Sequence, residues 1–318
     1  MESVRVAFVG AGSLANSVHY PSLAEMPDVE IVGIAELNED RMRATAEKYG
    51  VENTFTDYRE MLESVDADAV YVLMPPHHLF DIAVNVMQSG RHLFIEKPPG
   101  VTTYQTAALA ELAEKQGVKA MCAFNRRHIP LMLWAREQVE AQGPINQCVS
   151  TFYKHHTGGH YYDGAIDILT CDAVHAVDTL RWLGGGDVTR VTSSVKAVGA
   201  SFKNAFNAIV EFDTGATGVL LTNWMTGARV HTWEMHAAGG SAFVDGDAEA
   251  RVTTPDGVAI KTTQEVSGSD SSHRYYGFYG ESRHFIDCIR EDRTPTSHLG
   301  DAVKTMQLVE DIYASSIC

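Results

Sequence analysis

VRVAFVGAGSLA, residues 4–15, is an apolar run that ends in the pattern G-x-G-x-x-A. Gly10 allows a tight turn after a buried strand, Gly12 lets a pyrophosphate approach the backbone, and Ala15 permits close packing of helix on strand. The free N–H groups of the helix that follows favour phosphate oxygens. The stretch therefore predicts a dinucleotide site, with four residues expected at the cofactor: Gly10, Gly12, Ser13 and Leu14.

An acidic residue follows the next predicted strand. Val29–Ala35 is a second apolar run, and Glu36 comes directly after it. A carboxylate there accepts hydrogen bonds from ribose hydroxyls and repels a 2′-phosphate, which favours NAD as cofactor and makes NADP the weaker candidate. Arg41 argues the other way, because it lies early in the next predicted helix and can turn toward a phosphate. The alternative that the glycines serve only a turn is weakened by the joint presence of strand, spacing and acid.

Length and charge limit the class of protein. The 318 residues, 45% of them apolar, suffice for two domains with a core in each. A formal net charge of −16 argues against nucleic acid, an anionic membrane surface or a strongly anionic substrate as the main partner. We see neither a membrane-length apolar segment nor a signal-peptide pattern, so we expect a cytoplasmic protein. The five scattered cysteines indicate reduced thiols and no structural zinc site.

The first part of the chain alternates apolar runs with helical periodicity, which is typical of βα units and a parallel sheet. The predicted strands are Val4–Val9, Val29–Ala35, Ala69–Met74, His92–Ile95 and Lys119–Phe124. The predicted helices are Glu39–Tyr49, Leu79–Ser89 and Thr103–Gly117. We therefore expect an α/β Rossmann domain that binds a dinucleotide over residues 1–124.

The pattern changes after residue 124. Strand-like runs separated by turn signals continue to about Lys261 and indicate a large, mainly antiparallel open sheet, and thus an α+β domain over residues 125–318. Five further elements are predicted: helix Pro130–Gln142, strand Ile145–Tyr153, helix Ile168–Leu183 ending at Gly184–Gly186, and final helices Phe278–Arg290 and Asp301–Ser315. The final helices are candidates to pack back on the first domain. The second domain is expected to bind substrate and to mediate oligomerisation.

Lys97 lies just beyond a predicted parallel strand, in the sequence FIEKPPG of residues 94–100. Open α/β sheets bind ligands at the carboxyl ends of their strands. A partly desolvated lysine near other cations has a lowered pKa and can take or give a hydroxyl proton. The alternative is a surface lysine paired with Glu96.

Several motifs occur here in the order typical of the glucose–fructose oxidoreductase / inositol dehydrogenase / MocA (Gfo/Idh/MocA) family, which the whole chain resembles. They are G-x-G-x-x-A, the acid after the second strand, Met74-Pro75-Pro76, Glu96-Lys97-Pro98 and His175-x-x-Asp178. The resemblance implies a Rossmann domain, a second domain on a large open sheet, and a lysine of the triplet that hydrogen-bonds substrate. It also implies cofactor contacts from Met74, Pro75, Glu96 and Lys97. In the family the lysine–proline peptide is often cis.

A second catalytic element implied by the resemblance is Asp-x-x-x-His-x-x-Asp on a helix. Aligning His175 and Asp178 places Cys171 where the family usually has aspartate, with Asp172 one position later. Asp172 still lies near the same face, because residues three and four apart are neighbours on a helix. His175 is the expected general acid/base, since imidazole titrates near neutral pH. The alternative for His175 is a core histidine bonded to Asp178.

Two further segments carry polar and aromatic residues. KHHTGGHYY, residues 154–162, has the composition of a pocket rim, with Tyr161 as a substrate contact. We expect no metal there, because no carboxylate or cysteine at helical spacing completes a ligand set. Asn125, Arg126 and His128 follow the last Rossmann strand. Their two candidate roles are substrate contact and hydrogen bonding between domains.

These observations and the resemblance predict an NAD(P)-dependent dehydrogenase or reductase that acts on CH–OH groups. Hydride would pass between nicotinamide and a secondary alcohol or ketone carbon of a sugar, inositol or sugar derivative, a small neutral polyol or sugar. Lys97 would orient the hydroxyl, and His175 with Asp172 would carry its proton. The expected substrate contacts are Lys97, Asn125, Arg126, Tyr161, Asp172 and His175.

Two alternatives remain open at this point. One is a dehydrogenase or reductase of the same scaffold for a diol, imine or enone. The other is a non-catalytic NAD-binding sensor or partner protein, which the cysteine at position 171 supports and the presence of Lys97 and His175 opposes. The resemblance also implies a homodimer or homotetramer.

Overall fold

The computed structural model describes residues 3–156 and 158–317. The chain divides into two compact units. Unit 1 comprises the chain up to Ala123 with Ser272–Arg274 and Phe278–Val303, and unit 2 comprises Phe124–Ser271, Tyr275–Gly277 and the chain from Lys304 onward. Among the described residues we find no helix with the length and apolar character of a membrane span.

The described residues form strands and helices that we number in chain order. The strands are β1 (Val4–Val9), β2 (Val29–Ala35), β3 (Thr54–Phe55), β4 (Ala69–Val72), β5 (His92–Ile95), β6 (Ala120–Cys122), β7 (Gln147–His155), β8 (Val188–Lys196), β9 (Ala205–Phe212), β10 (Thr217–Asn223), β11 (Met225–Ala237), β12 (Gly240–Asp245), β13 (Glu249–Thr254) and β14 (Gly257–Thr262). The α-helices are α1 (Tyr20–Ala24), α2 (Glu39–Tyr49), α3 (Tyr58–Ser64), α4 (Pro76–Gln88), α5 (Thr103–Gln116), α6 (Pro130–Glu140), α7 (Val174–Gly184), α8 (Thr263–Ser267), α9 (Ser272–Tyr275), α10 (Phe278–Arg290) and α11 (Leu299–Ala314). Shorter helical segments are the π turns Ala15–His19 and Leu169–Ala173 and the 3-10 turns Asn125–His128 and Tyr161–Gly164.

Unit 1 is built on a parallel sheet with strand order β3-β2-β1-β4-β5-β6. From β1 the chain first adds strands on one side, β2 and β3, and then on the other side, β4, β5 and β6. The crevice where α/β sheets bind nucleotides therefore lies between the carboxyl ends of β1 and β4. The predicted Rossmann sheet is therefore confirmed.

Both faces of this sheet are covered. Val6 and Phe8 of β1 belong to one apolar cluster and Ala7 and Val9 to another, as expected from the alternation of side chains along a strand. The first cluster also contains Leu23 of α1 and Phe285 of α10, and the second contains Leu79 of α4 and Leu109 of α5. Helices thus bury the sheet on both sides, which is why its strands are apolar throughout.

Unit 1 contains two elements that were not predicted. Strand β3 has two residues, too few to show a periodicity, and α3 follows it after Asp57, whose side chain accepts the N–H of Arg59. Helix α4 begins at Pro76, three residues before the predicted start, because proline fits the first turn of a helix. Strand β3 pairs with Ile34 and Ala35, and so extends the sheet at the carboxyl end of β2.

Unit 2 is built on an eight-stranded sheet of order β14-β13-β12-β11-β7-β10-β9-β8. Strands β7 and β10 pair in parallel, and the other neighbours pair antiparallel. The predicted large, mainly antiparallel sheet is confirmed. The predicted turn signals at Asp213–Gly215 and Pro255–Gly257 join β9 to β10 and β13 to β14.

One face of the second sheet carries helix α7. Cys148 and Ser150 of β7 lie against Leu180 and Thr179 of that helix, with Ser150 Oγ 3.3 Å from Thr179 Oγ1. Burial raises the pKa of the Cys148 thiol to about 12. Gly184 ends the helix beside Phe212, whose ring would lie 2.3 Å from a Cβ at position 184. The other face leaves large apolar side chains exposed, among them Ile209, Phe243, Val258 and Ile260.

A buried ion pair fixes α7 within unit 2. Arg127 donates from Nε to Asp178 Oδ2 at 2.8 Å and from Nη2 to Oδ1 at 2.5 Å. The side chains are 4% and 1% exposed. Thr305 of α11 donates a further hydrogen bond of 2.9 Å to Asp178 Oδ1. Three segments far apart in sequence therefore meet at one carboxylate.

We expect Asp178→Asn to lower the free energy of unfolding by about 3–5 kcal/mol, because it leaves the Arg127 guanidinium buried without its counter-charge. Arg190→Gln is the matched control: its pair with Glu211 spans 3.6 Å with both side chains at least half exposed, so its loss should change stability by less than about 1 kcal/mol. Chemical denaturation followed by circular dichroism measures both. Equal effects would contradict the assigned role of the buried pair.

Candidate functional site

The glycine turn of unit 1 has the geometry that the sequence predicts. Gly10 has a φ of 106°, and a Cβ there would lie 2.5 Å from the Leu73 carbonyl oxygen. A Cβ at Gly12 would meet no atom within 4 Å, so the space above this residue is open. The chain is helical from Ser13, with the N–H of Asn16 on the Gly12 carbonyl at 3.0 Å. Open space at Gly12 and a helix start beside it suit a pyrophosphate.

Glu36 lies at the end of β2 and points to this turn. Its Oε2 accepts the Ala11 N–H at 2.9 Å, and its Oε1 accepts the Asn38 N–H at 2.9 Å. Arg41 Nη1 lies 3.6 Å from Oε2, so the arginine considered as a phosphate ligand is held beside the acid. The carboxylate stabilises the loop and has lone pairs left for ribose hydroxyls.

A cavity of about 440 Å³ opens at the carboxyl edge of the parallel sheet. Its walls include Glu36, Leu37, Thr56, Tyr58, Met74 and His78. The lining is more apolar than polar and includes three carboxylates, Glu36, Asp57 and Asp81, of which Glu36 lies beside the glycine turn and suits the ribose of an adenosine. Met74 was predicted here, and Pro75 next to it caps α4. Thr56 and Tyr58 were missed because they follow the two-residue strand β3. The residues present therefore fit a dinucleotide.

Glu96, at the end of β5, is buried and fully engaged within unit 1. Its Oε1 lies 3.0 Å from Nε2 of His19, and its Oε2 accepts the backbone N–H of Lys97 at 3.1 Å. An ionised carboxylate only accepts, so His19 Nε2–H is the donor. Burial acts to raise the pKa of Glu96, but the bond and charge of His19 outweigh it, and the pKa lies below its usual value. The Lys97–Pro98 peptide is cis.

In unit 2, the π turn that precedes α7 brings Asp172 to the sheet. A π turn holds one residue more than an α turn and is often found at functional sites. Asp172 pairs with Lys154 at the end of β7, and the Tyr161 hydroxyl donates to Asp172 Oδ2 at 2.9 Å. Trp224 Nε1 donates to the same hydroxyl at 3.1 Å. Cys171 is 5% exposed.

Burial and the Asp172 charge raise the pKa of Tyr161 above its usual value. This tyrosine therefore stays protonated and acts as a hydrogen-bond donor at neutral pH. The loop that holds it contains two residues with positive φ, Tyr162 at 48° and Asp163 at 54°. Such angles are uncommon without glycine, so the loop is constrained by its contacts.

His175 occupies the first turn of α7 and is 5% exposed. Four residues later, Thr179 donates to the His175 carbonyl at 2.8 Å and accepts from Trp233 Nε1 at 3.0 Å. These bonds orient the helix on the sheet. The two oxygens of Asp178 accept hydrogen bonds from Arg127 and Thr305, which gives Asp178 a structural task.

Asn125 and Arg126, in the 3-10 turn that begins unit 2, both contact Tyr276. Asn125 Nδ2 donates to the Tyr276 carbonyl at 2.8 Å. Arg126 donates from Nη1 to Asn125 Oδ1 at 2.5 Å, and its guanidinium lies 5.0 Å from the centre of the Tyr276 ring. Both side chains are buried, Arg126 at 9% exposure.

The histidines of the loop after β7 have separate partners. His155 Nδ1 lies 2.8 Å from the Thr226 carbonyl, and His156 Nε2 lies 3.0 Å from the Gly159 carbonyl. His160 packs against the ring of Phe202. Thr157 of this loop and Cys318 at the chain end lie outside the described residues.

Sequence reasoning missed three residues on the same face of the second sheet: Trp224, Arg229 and His231. Strand alternation does place Arg229 and His231 on one face. It does not tell which face, because polar residues occur at both sets of positions in β11. The pairing of His231 with Phe152 of β7 decides this.

Comparison with known proteins gives a consistent result. Residues 4–124 match the sequence profile of the Gfo/Idh/MocA oxidoreductase family with an NAD-binding Rossmann fold, and residues 148–243 match the C-terminal domain of that family. The chain is 25% identical to scyllo-inositol 2-dehydrogenase (NAD⁺) of Bacillus subtilis over 315 residues, covering 92% of this chain and 88% of that protein.

Solved structures show the same fold. A dehydrogenase from Chromobacterium violaceum superimposes with a TM-score of 0.91 at 22% identity, over 99% of this chain and 96% of that one. A levoglucosan dehydrogenase in complex with NADH gives a TM-score of 0.84 at 20% identity, over 99% and 97% of the two chains.

The Glu96 site predicts a pH-dependent stability. Because its pKa in the folded protein is lowered, ionised Glu96 should stabilise the fold above about pH 4.5, and this contribution should disappear as the pH falls through the lowered value. We expect Glu96→Gln to cost about 2 kcal/mol at pH 7 and progressively less in acid. Denaturation at a series of pH values measures this.

The control for that series is Glu63→Gln, an exposed acid in unit 1. It should leave stability nearly unchanged at every pH. A Glu96→Gln cost that stays constant down to pH 3 would show that the charge of Glu96 is not what stabilises the turn.

Proposed function

Because this chain belongs to the Gfo/Idh/MocA family of oxidoreductases, with its NAD-binding Rossmann fold, we propose that it transfers hydride to or from a secondary alcohol or ketone carbon of a sugar, inositol or sugar derivative. The observation that carries the proposal is the carboxyl edge of the parallel sheet. There the cavity beside Glu36, which suits the adenosine side of a dinucleotide, and the turn at Lys97 follow neighbouring strands of unit 1. The sugar specificity rests on the relatives, which include an inositol dehydrogenase.

NAD is the proposed cofactor, in preference to NADP. When bound, it supplies the hydride acceptor or donor. Gly10, Gly12, Ser13 and Leu14 would contact the pyrophosphate, and Glu36 would accept hydrogen bonds from the ribose. A 2′-phosphate would meet the Glu36 carboxylate, whose neighbouring Arg41 is already paired with it at 3.6 Å. Met74 and Pro75 would flank the adenosine side.

Lys97 is the residue we propose at the reacting oxygen. Its backbone is held by Glu96, whose carboxylate is occupied by His19 and by the Lys97 N–H. The backbone of Lys97 is therefore fixed, and its ammonium group can hydrogen-bond the substrate hydroxyl. In the oxidation direction its positive charge stabilises the alkoxide that forms as the hydroxyl proton leaves, and in the reduction direction the alkoxide that forms as hydride arrives.

His175 and Asp172 are the groups that we propose to handle the proton. The imidazole of His175 is buried in the first turn of α7 and takes the hydroxyl proton as general base. Asp172, fixed by Lys154 and Tyr161, provides a carboxylate on the same helical segment. Lys97, Asn125, Arg126, Tyr161, Asp172 and His175 are the proposed substrate contacts.

We further propose a homodimer or homotetramer that works in the cytoplasm. The exposed apolar residues on the second sheet, such as Ile209 and Phe243, offer a face for a second copy. The cysteines at positions 122, 148, 171 and 288 are buried thiols outside any disulfide, as expected in a reducing compartment.

Lys97→Ala should leave NAD affinity nearly unchanged and lower turnover by a factor on the order of a hundred or more, because a positioned hydrogen-bonding and charge-stabilising group is lost. Lys115→Ala, which removes an exposed lysine of α5, is the control and should retain full activity. Cofactor titration and steady-state kinetics separate binding from chemistry. Near-normal turnover of Lys97→Ala would place the reaction centre elsewhere.

Asp172→Asn should lower turnover and shift the pH profile, because the charge beside Lys154 and Tyr161 is removed while the shape is kept. Cys171→Ala should do little beyond a small loss of packing. The pH dependence of kcat/KM for both variants is the measurement. A silent Asp172→Asn together with altered substrate affinity in Cys171→Ala would transfer the role to the cysteine.

A further inference from the structure

Three cationic side chains, those of Arg126, Lys154 and Arg229, cluster at the face of the second sheet beside α7. The proposed hydride transfer does not explain why they cluster. Phe152 and Lys154 alternate onto this face of β7, and His231 of β11 pairs directly with Phe152. Arg229 lies two residues before His231 and shares its face. Arg126, from the start of unit 2, reaches the same region through Tyr276.

Two aromatic rings connect the three cations. Over the ring of Phe152 lie Lys154 Nζ, at 5.1 Å from the centroid, and the Arg229 guanidinium, at 5.9 Å. The ring of Tyr276 has the guanidinium of Arg229 at 5.6 Å and that of Arg126 at 5.0 Å. The cations therefore form one contiguous patch, which we call the cationic patch: Arg126, Lys154 and Arg229.

His231 lies beside this patch, and the charges of the patch affect its pKa. It is fully buried, stacked at 4.0 Å on Phe152, and neither ring nitrogen has a hydrogen-bond partner among the described residues. Burial, followed by the charges of Arg126, Arg229 and Lys154, holds its pKa well below the usual value. The imidazole is neutral at physiological pH and adds no charge to the patch.

The charges in the patch do not balance. Asp172 pairs with Lys154, and Asp247 pairs with Arg229. Arg126 has the neutral amide oxygen of Asn125 and the ring of Tyr276, but no carboxylate partner among residues 3–156 and 158–317. Its Nε is buried without a hydrogen bond, and the residue is only 9% exposed. One buried positive charge is left without a counter-ion, which is costly unless a ligand provides one.

We propose that the cationic patch binds a carboxylate of the substrate, so that the substrate is a sugar acid, such as an aldonate or uronate, in place of the neutral polyol that the net charge of the chain favours. This inference rests on the proposed function for the reaction, while the binding of the acid stands on the patch alone. The Arg126 guanidinium carries an N–H, at Nε, without a hydrogen bond, and a planar guanidinium matches a carboxylate.

The charge count selects a carboxylate over a phosphate. Three cations against two aspartates leave a single positive charge, which a monoanion neutralises. The two negative charges of a phosphate dianion would exceed this single positive charge, and they would lie near the carboxylates of Asp172 and Asp247. A chain of net charge −16 also repels multiply charged ligands over longer distances.

The test is binding of matched pairs of acids and neutral sugars to the full chain saturated with NAD. The pairs are D-gluconate with sorbitol, D-glucuronate with D-glucose, and D-galacturonate with D-galactose, and glucose 6-phosphate is added as a phosphate probe. Calorimetry should show at least one acid binding tenfold or more tightly than its neutral partner. Arg126→Met should abolish that preference without changing NAD affinity.

A second readout does not depend on finding the best acid. Removing an unbalanced buried charge should raise the melting temperature of Arg126→Met without ligand, whereas the acid should raise it only in the wild type. Arg251→Met, at an exposed arginine of β13, is the control and should keep the acid preference.

The outcomes separate the two proposals. No acid preference in any pair, a preference that survives in Arg126→Met, or tighter binding of glucose 6-phosphate than of every acid would overturn the carboxylate site. Acid binding through Arg126 without any hydride transfer would leave the site standing and overturn the proposed function. Turnover of a neutral sugar with no acid preference would support the proposed function and overturn the carboxylate site.

Discussion

The buried ion pair between Arg127 and Asp178 is the constraint on which unit 2 depends. Its two parallel hydrogen bonds, together with that from Thr305, join the first turn of the unit to α7 and α11. A bidentate pair fixes direction as well as distance. Helix α7 is therefore set on the sheet in one rotation, with Thr179 between Ser150 and Trp233 and the preceding π turn holding Asp172 beside Lys154. The contacts of Thr179 and of Asp172 in this unit follow from that rotation.

Unit 1 uses two carboxylates of low exposure in the same way. Glu36 holds the glycine turn by the Ala11 N–H, and Glu96 holds the Lys97 turn by the Lys97 N–H. In both cases the acid lies at the carboxyl end of a parallel strand, where the loops leave the sheet and backbone groups lose their ladder partners. A charged acceptor satisfies these N–H groups more strongly than a neutral one. The acids thus shape the loops that ligands meet.

The local field of the candidate site is opposite in sign to that of the whole chain. Net charge governs long-range attraction and solubility, whereas a ligand at the sheet face meets the nearest groups at low dielectric. At the cationic patch these are two guanidinium groups and an ammonium, of which one lacks a carboxylate partner among the described residues. An acidic chain can therefore hold a site for a single negative charge.

The sequence by itself determined the elements with local signals: the glycine turn, the acid after β2, the parallel strands of unit 1, the turns between the antiparallel strands, and Lys97 at a strand end. Each depends on periodicity or on spacing within a few residues, which one stretch of chain contains in full. It did not reveal β3, which is too short to show a pattern. Only the tertiary structure decided the strand order of the second sheet, the choice of Asp172 as the partner of Lys154, and the meeting of Arg126, Arg229 and Tyr276. These contacts join residues up to 150 positions apart, and their energy comes from burial and pairing that no single segment has before the chain folds.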